Sequence, residues 1–184
     1  TPAAVSKRVV VVGGGPGGLY AAWISALRGH QVTLLEKGEE LGGNFRIASF
    51  PTGKGQLSEA IRSLIVKCQK AGVELRTGAE ATEESLKALA PEAIILATGS
   101  TPLVLPIPGL ADCGYVTAQD MLEGKAPMGR KVLVVGGGMV GCEAAEYLAE
   151  RGHQVAIIEM KDVIAADVTP ENRRYMFENF EEHH

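Results

Sequence analysis

Two glycine clusters are the residues best placed to do chemistry: GGGPGG, from Gly13 to Gly18, and GGGMVG, from Gly136 to Gly141. Each follows a β-branched run and opens a stretch of helical spacing, and eighteen residues after its last glycine comes a glutamate, Glu36 or Glu159. In G-x-G-x-x-G the first glycine permits a tight turn. The second lets the backbone approach an anion with no side chain in the way, and the third allows a helix to pack closely on a sheet. Gly13, Gly15 and Gly18 take these places in the first copy, and Gly136, Gly138 and Gly141 in the second. A diphosphate at the N-terminus of the following helix meets unpaired N–H groups and the positive end of the helix dipole. A glutamate closing the next strand can accept hydrogen bonds from ribose hydroxyls. The pattern therefore predicts two dinucleotide sites. A carboxylate at Glu159 would repel a 2′-phosphate, which favours NADH over NADPH there, with the nearby Lys161 acting against that preference. Glu143 is open to two readings, a helix-stabilising acid or a group close to a nicotinamide.

The elements that must position these loops are legible on either side of them. KRVVVV at 7–12 has the unbroken apolar character of a strand buried in a parallel sheet. Residues 17–28 carry Leu19, Ala22, Trp23, Ala26 and Leu27 at helical spacing before Gly29, and QVTLLE at 31–36 is a second strand. RKVLVV at 130–135, a helix over 141–151 and QVAIIE at 154–159 repeat the unit 123 residues later, in one register that also matches RGHQV at 28–32 with RGHQV at 151–155. An internal duplication of a βαβ unit accounts for this. Between the copies the spacing predicts an amphipathic helix over 55–71, a strand at 73–77, a helix over 82–90 capped by Thr82, and a strand at 93–98. After Glu159 one further helix is expected, over about 169–182. The predicted fold class is α/β, with two Rossmann-like dinucleotide-binding units of which the second is incomplete.

Composition narrows the function classes. The chain has 184 residues, a formal net charge of −4 and 23 glycines. That balance offers no broad basic surface for nucleic acid or anionic lipid, and no apolar run approaches the roughly 20 residues that cross a bilayer. A cytoplasmic protein is expected. Cys68, Cys113 and Cys142 are too scattered for a disulfide framework, a metal knuckle or a dithiol redox pair. Asp112 and Asp120 read as loop and capping acids. His183 and His184 are either native or the start of a tag.

With its motifs in view, VVVVGGGPGGLYAAWISALRGHQVTLLEKGEELGGN resembles the flavin-binding entry of the glutathione-reductase-like flavoproteins, which have two dinucleotide-binding domains. LGGNFR at 41–46, ILATGSTP at 95–102 and VLVVGGGMVGCEAAEYL at 132–148 extend the likeness over nearly the whole chain. Within that superfamily the chain is most similar to the C-terminal region of old-yellow-enzyme-related NADH:flavin oxidoreductases, the branch of 2,4-dienoyl-CoA reductase and trimethylamine dehydrogenase. The resemblance implies that Gly13, Gly15, Pro16, Gly17 and Gly18 hold the FAD diphosphate and Glu36 its ribose, with Lys37 alongside. It implies that Gly42, Gly43 and Asn44 run past the diphosphate towards the flavin, that Arg46 adds a positive charge there or is a solvated surface residue, and that the Ala81 backbone meets the adenine. Ala97, Thr98 and Gly99 match the turn at which the chain leaves the FAD domain. Gly136, Gly138, Met139, Val140, Gly141 and Glu159 match the NAD(P)H entry. The implied domains are 1–105, binding FAD or ADP, and 106–184, the N-terminal half of an inserted NAD(P)H domain.

Two departures from the family pattern qualify the resemblance. The late Gly-Asp pair of a complete FAD domain does not occur in the sequence, and neither does the N-terminal β/α barrel, with its FMN and iron–sulfur cluster, that the resemblance implies as partner. The chain therefore reads as a fragment. Hydride passing from NADH to FAD, and onward to that barrel for reduction of an unsaturated organic substrate, is the implied activity. A non-catalytic, ADP-binding structural domain is the alternative. No general acid or nucleophile is required within the chain.

Overall fold

The computed structural model describes residues 1–51 and 53–183, so the terminal His184 lies outside the described residues. The chain divides into two compact units, Thr1–Thr101 and Pro102–His184. In the first, parallel strands β1 (Arg8–Val12), β2 (Gln31–Leu35), β3 (Glu74–Arg76) and β4 (Ala93–Leu96) lie side by side in the order β3-β2-β1-β4. Val10 pairs with Thr33 on one side and Ile94 on the other. Helices α1 (Pro16–Leu27), α2 (Gly43–Ile47), α3 (Gln56–Lys70) and α4 (Glu83–Leu89) fill the connections. Thr82 caps α4 as its sequence position predicts, its Oγ accepting from the Ser85 amide while the Ser85 hydroxyl receives the Thr82 N–H.

Strand alternation places Val9, Val11, Val32 and Leu34 on one face of the sheet. There they pack with Leu19 and Ala22 of α1 and with Ile61 and Cys68 of α3. Leu19, Leu34 and Val11 are wholly buried, and each contributes on the order of 2 kcal/mol through burial alone. This core fixes α1 against β1 and so fixes the glycine turn between them. At β4 the opposite face is open, with Leu96 75% exposed.

The second unit pairs β5 (Lys131–Val135) with β6 (Gln154–Ile158) in a two-stranded parallel sheet. Around it are α5 (Ala118–Leu122), α6 (Met139–Ala149) and α7 (Pro170–His183). Met121, Ala144 and Leu148 form one small core, and Cys142, Ala165 and Met176 another. Helix α6 begins at Met139, two residues earlier than the spacing predicts. The short helices α2 and α5 were not expected, since five residues are too few to display a period. Thr117, rather than the expected Asp120, caps α5, its Oγ accepting from the Asp120 amide at 3.1 Å, while Asp120 lies in the first turn with its carboxylate accepting from the Thr117 hydroxyl at 2.7 Å.

Cys68 and Cys142 are fully buried, and desolvation pushes both thiols above their ordinary pKa, whereas Cys113 is exposed. Thiolate is the reactive form. A disulfide thiol reagent at neutral pH is therefore expected to titrate one cysteine rapidly in the native chain and all three after denaturation, followed by absorbance of the released thiolate.

Candidate functional site

The first glycine turn is shaped by both of its walls. Gly13 has φ of 109°, and a Cβ there would lie 2.2 Å from the Ala97 carbonyl oxygen, so the Ala97–Thr98 turn after β4 rests directly on it. A Cβ on Gly18 would lie 1.9 Å from the Gly13 oxygen. These two glycines are demanded by the fold. Gly15 is different. Its backbone, at φ −71° and ψ 179°, is open to any residue, and a Cβ there would meet nothing within 4 Å. The space it leaves lies at the N-cap of α1, where Pro16 takes the first helical position with no N–H to leave unpaired.

Glu36 is tied into this loop. Its Oε2 accepts from the Gly14 amide at 2.6 Å and its Oε1 from the Gly38 amide at 2.8 Å. A carboxylate offers about four lone-pair positions, so both oxygens can still accept from a ligand. The loop following β2 closes over the turn: the Gly42 amide donates to the Gly14 carbonyl at 2.8 Å, and a Cβ on Gly43 would come 3.4 Å from the Gly15 Cα. Asn44 reaches away, its Nδ2 donating to the Ser100 carbonyl at 3.1 Å. Arg46 pairs with Glu40 at 2.9 Å and covers the Phe50 ring, so its charge is engaged on the protein itself. Lys37, Thr98 and Gly99 are exposed at the rim. Ala81 is carried in a loop tied back to the same corner, where the Ala79 amide donates to the Glu36 carbonyl and the Gly78 amide to the Gly38 carbonyl.

The second unit repeats these bonds in the same register. The Gly137 amide donates to Glu159 Oε2 at 2.7 Å, the Lys161 amide to Glu159 Oε1 at 2.8 Å, and the Ala165 amide to the Gly137 carbonyl. A Cβ on Gly141 would lie 1.8 Å from the Gly136 oxygen, as at Gly18. Gly136 keeps its positive φ of 104°, yet a Cβ there would meet nothing. Among the described residues no strand takes the place beside β5 that β4 takes beside β1. Met139 and Val140 are exposed at the start of α6. One residue was missed from the sequence: Asp167, whose carboxylate accepts from the Met139 amide with both oxygens, at 2.9 and 3.1 Å. Continuing the 123-residue register past Glu159 would have found it, because it falls on Asn44.

Hydrogen bonds from the Lys161 and Gly137 amides hold the Glu159 carboxyl below its ordinary pKa. A depressed folded-state pKa means that these bonds stabilise the second unit fully at neutral pH, and that the stabilisation is lost as pH falls through the folded value. Glu159→Gln should therefore flatten the acid limb of the unfolding midpoint measured between about pH 5 and pH 3, where carboxylates titrate.

Two α/β units, each with a glycine turn from strand to helix and a glutamate bonded to that turn, define the class as a Rossmann-like FAD/NAD(P)-binding fold. The chain belongs to the pyridine nucleotide-disulphide oxidoreductase family, whose model matches residues 7–184. It is 46% identical, over 97% of its length, to an NADH oxidase of Thermoanaerobacter brockii, and 40% identical, over 86%, to a cinnamate reductase of Clostridium sporogenes. It superposes over its full length on 28% of the chain of a 2-naphthoyl-CoA reductase solved with 2-naphthoyl-CoA, with a TM-score of 0.95 and 35% identity. The chain spans 28% of the NADH oxidase and 24% of the cinnamate reductase. Among the described residues no helix is long and apolar enough to cross a membrane, and no cluster of side chains could hold a metal ion.

Proposed function

We propose that the chain is the FAD- and NAD(P)H-binding portion of a longer flavin-dependent oxidoreductase of the old-yellow-enzyme-related branch. The first unit takes FAD and the second takes NADH. The observation that carries this reading is the open space beside Gly15, which neither backbone conformation nor packing requires. It lies at a helix N-terminus, and Glu36 is bonded to the same loop. A dinucleotide diphosphate fits there, with the Gly17 and Gly18 amides as donors and the remaining lone pairs of Glu36 to accept ribose hydroxyls. Glu159 holds the corresponding place in the second unit and favours NADH over its 2′-phosphorylated form.

When bound, the flavin supplies the redox chemistry, accepting a hydride equivalent from the nicotinamide. The protein's own residues bind and orient. The Glu36 and Glu159 carboxylates each fix a glycine turn and present lone pairs outward, and the turns present amides. Electrons would pass onward to an FMN and iron–sulfur barrel in the longer protein that reduces an unsaturated organic substrate, and the similarity to a cinnamate reductase and a 2-naphthoyl-CoA reductase supports reduction of an organic substrate. On this reading the FAD domain runs over 1–105 and the NAD(P)H domain over 106–184.

Nucleotide released from the purified protein and identified by mass spectrometry and flavin absorbance tests the reading. FAD is the expected result. ADP alone would assign the first unit to the structural, non-catalytic role, and an absence of nucleotide even after incubation with FAD would sink the assignment.

A further inference from the structure

The two copies of the loop agree bond for bond until they reach the helix N-terminus, and there they differ. In the first unit the space beside Gly15 has no protein atom within 4 Å of where a Cβ would stand, and Asn44 turns its amide to Ser100. In the second unit the equivalent space, beside Gly138, holds the Asp167 carboxylate, 3.2 Å from where a Cβ would stand. Both carboxylate oxygens accept from the Met139 amide, the first of α6. We infer that Asp167 is an internal anion seated where a dinucleotide's diphosphate must go, so that binding at the second unit requires its displacement.

The argument is one of competition. A helix N-terminus favours a negative group because its first amides have no partner within the helix and the dipole is positive there. Asp167 supplies such a group from within the chain and lies in the open, held by a loop whose Ala165 amide is bonded to the Gly137 carbonyl. An arriving diphosphate therefore gains less than it would at an empty seat, because it replaces a bond already made. It also meets a like charge that stays on the same short loop after being moved aside.

The consequence rests on the reading of the second unit as the NADH site. A nicotinamide cofactor that is consumed must leave after each turnover, whereas a flavin stays. An acid in one copy of the repeat and a neutral amide in the other would make the first seat retentive and the second exchangeable, and Met139, unlike Pro16 at the same place in the register, brings the N–H that holds the acid.

The test is a fluorescence titration of the FAD-loaded protein with NADH under anaerobic conditions, comparing wild type with Asp167→Asn and Asp167→Ala. Asparagine keeps an acceptor for the Met139 amide and removes the charge. It should bind NADH about tenfold more tightly at low salt, within the usual range of coupling between a site and one competing contact. That advantage should shrink as added salt screens the repulsion, an effect that a purely structural cap would not produce. Alanine should lower the melting temperature through loss of the cap and still bind more tightly than wild type. Equal or weaker NADH binding by Asp167→Asn would overturn the inference while leaving the NADH assignment in place. No NADH binding by any of the three proteins would overturn the assignment and the inference together.

Discussion

Gly15→Val is expected to leave the first unit folded and to empty it of nucleotide. The valine backbone can adopt φ −71° and ψ 179°, and its Cβ would have no protein atom within 4 Å beyond its chain neighbours. The melting temperature of the nucleotide-free protein should change by no more than about 2 °C, as for substitutions that disturb no buried contact. The two methyl groups would project into the diphosphate seat, and FAD affinity should fall at least about 100-fold, equivalent to about 2.7 kcal/mol. Gly18→Ala separates this effect from packing. Its single added methyl would lie 1.9 Å from the Gly13 oxygen, so α1 must lift from β1. A cost of roughly 3 kcal/mol or more in stability is expected. Calorimetry on the two nucleotide-free variants, with FAD titration of each, should give a stable non-binder and an unstable one. Wild-type FAD affinity in Gly15→Val would place the diphosphate elsewhere.

How far the sequence reached is clearest where the two copies can be compared. Strands β1, β2, β4, β5 and β6, helices α1 and α3 and the glycine turns were legible because parallel strands are mostly continuous apolar runs and these helices end just before glycine. Burial was not legible from the same residues. Val10 and Leu133 occupy one position of the repeat, yet Val10 is 3% exposed and Leu133 57%. The difference lies in their neighbours: β1 is flanked by two strands and β5, among the described residues, by one. The loop after the second strand was legible in the first copy through its glycines and hidden in the second. There Gly42 and Gly43 are replaced by Ala165 and Ala166, and Ala165 keeps the left-handed backbone, at φ 53°, while burying its methyl completely. An alanine at a positive φ gives no local signal. Only the register and the bond from its amide to Gly137 reveal the equivalence.

Glu36→Ala should fail in two separable ways, since the structure gives this carboxylate a task that the sequence did not suggest. Ribose recognition was the only role its position implied. In the folded chain both of its oxygens also accept backbone amides, at 2.6 and 2.8 Å, and hold the Gly14 and Gly38 segments together. Removing a carboxylate that makes two such bonds at a partly buried site should cost roughly 2–3 kcal/mol even without nucleotide, because hydrogen bonds to charged groups contribute about 1.5–3 kcal/mol. In addition, FAD affinity should fall further than the loosened loop alone explains, as the ribose loses its acceptor. Glu36→Gln distinguishes the two contributions. Its amide has one acceptor oxygen and presents an NH2 to the other backbone N–H, so the tie is half broken while one ribose bond can survive. Nucleotide-free melting temperatures should therefore rank wild type above glutamine and glutamine above alanine. FAD dissociation constants measured under the same conditions should follow that order. If alanine melts like the wild type, the loop is held by its own backbone bonds, such as that from Gly42 to Gly14. Unchanged FAD affinity with a lowered melting temperature would leave Glu36 a purely structural tie.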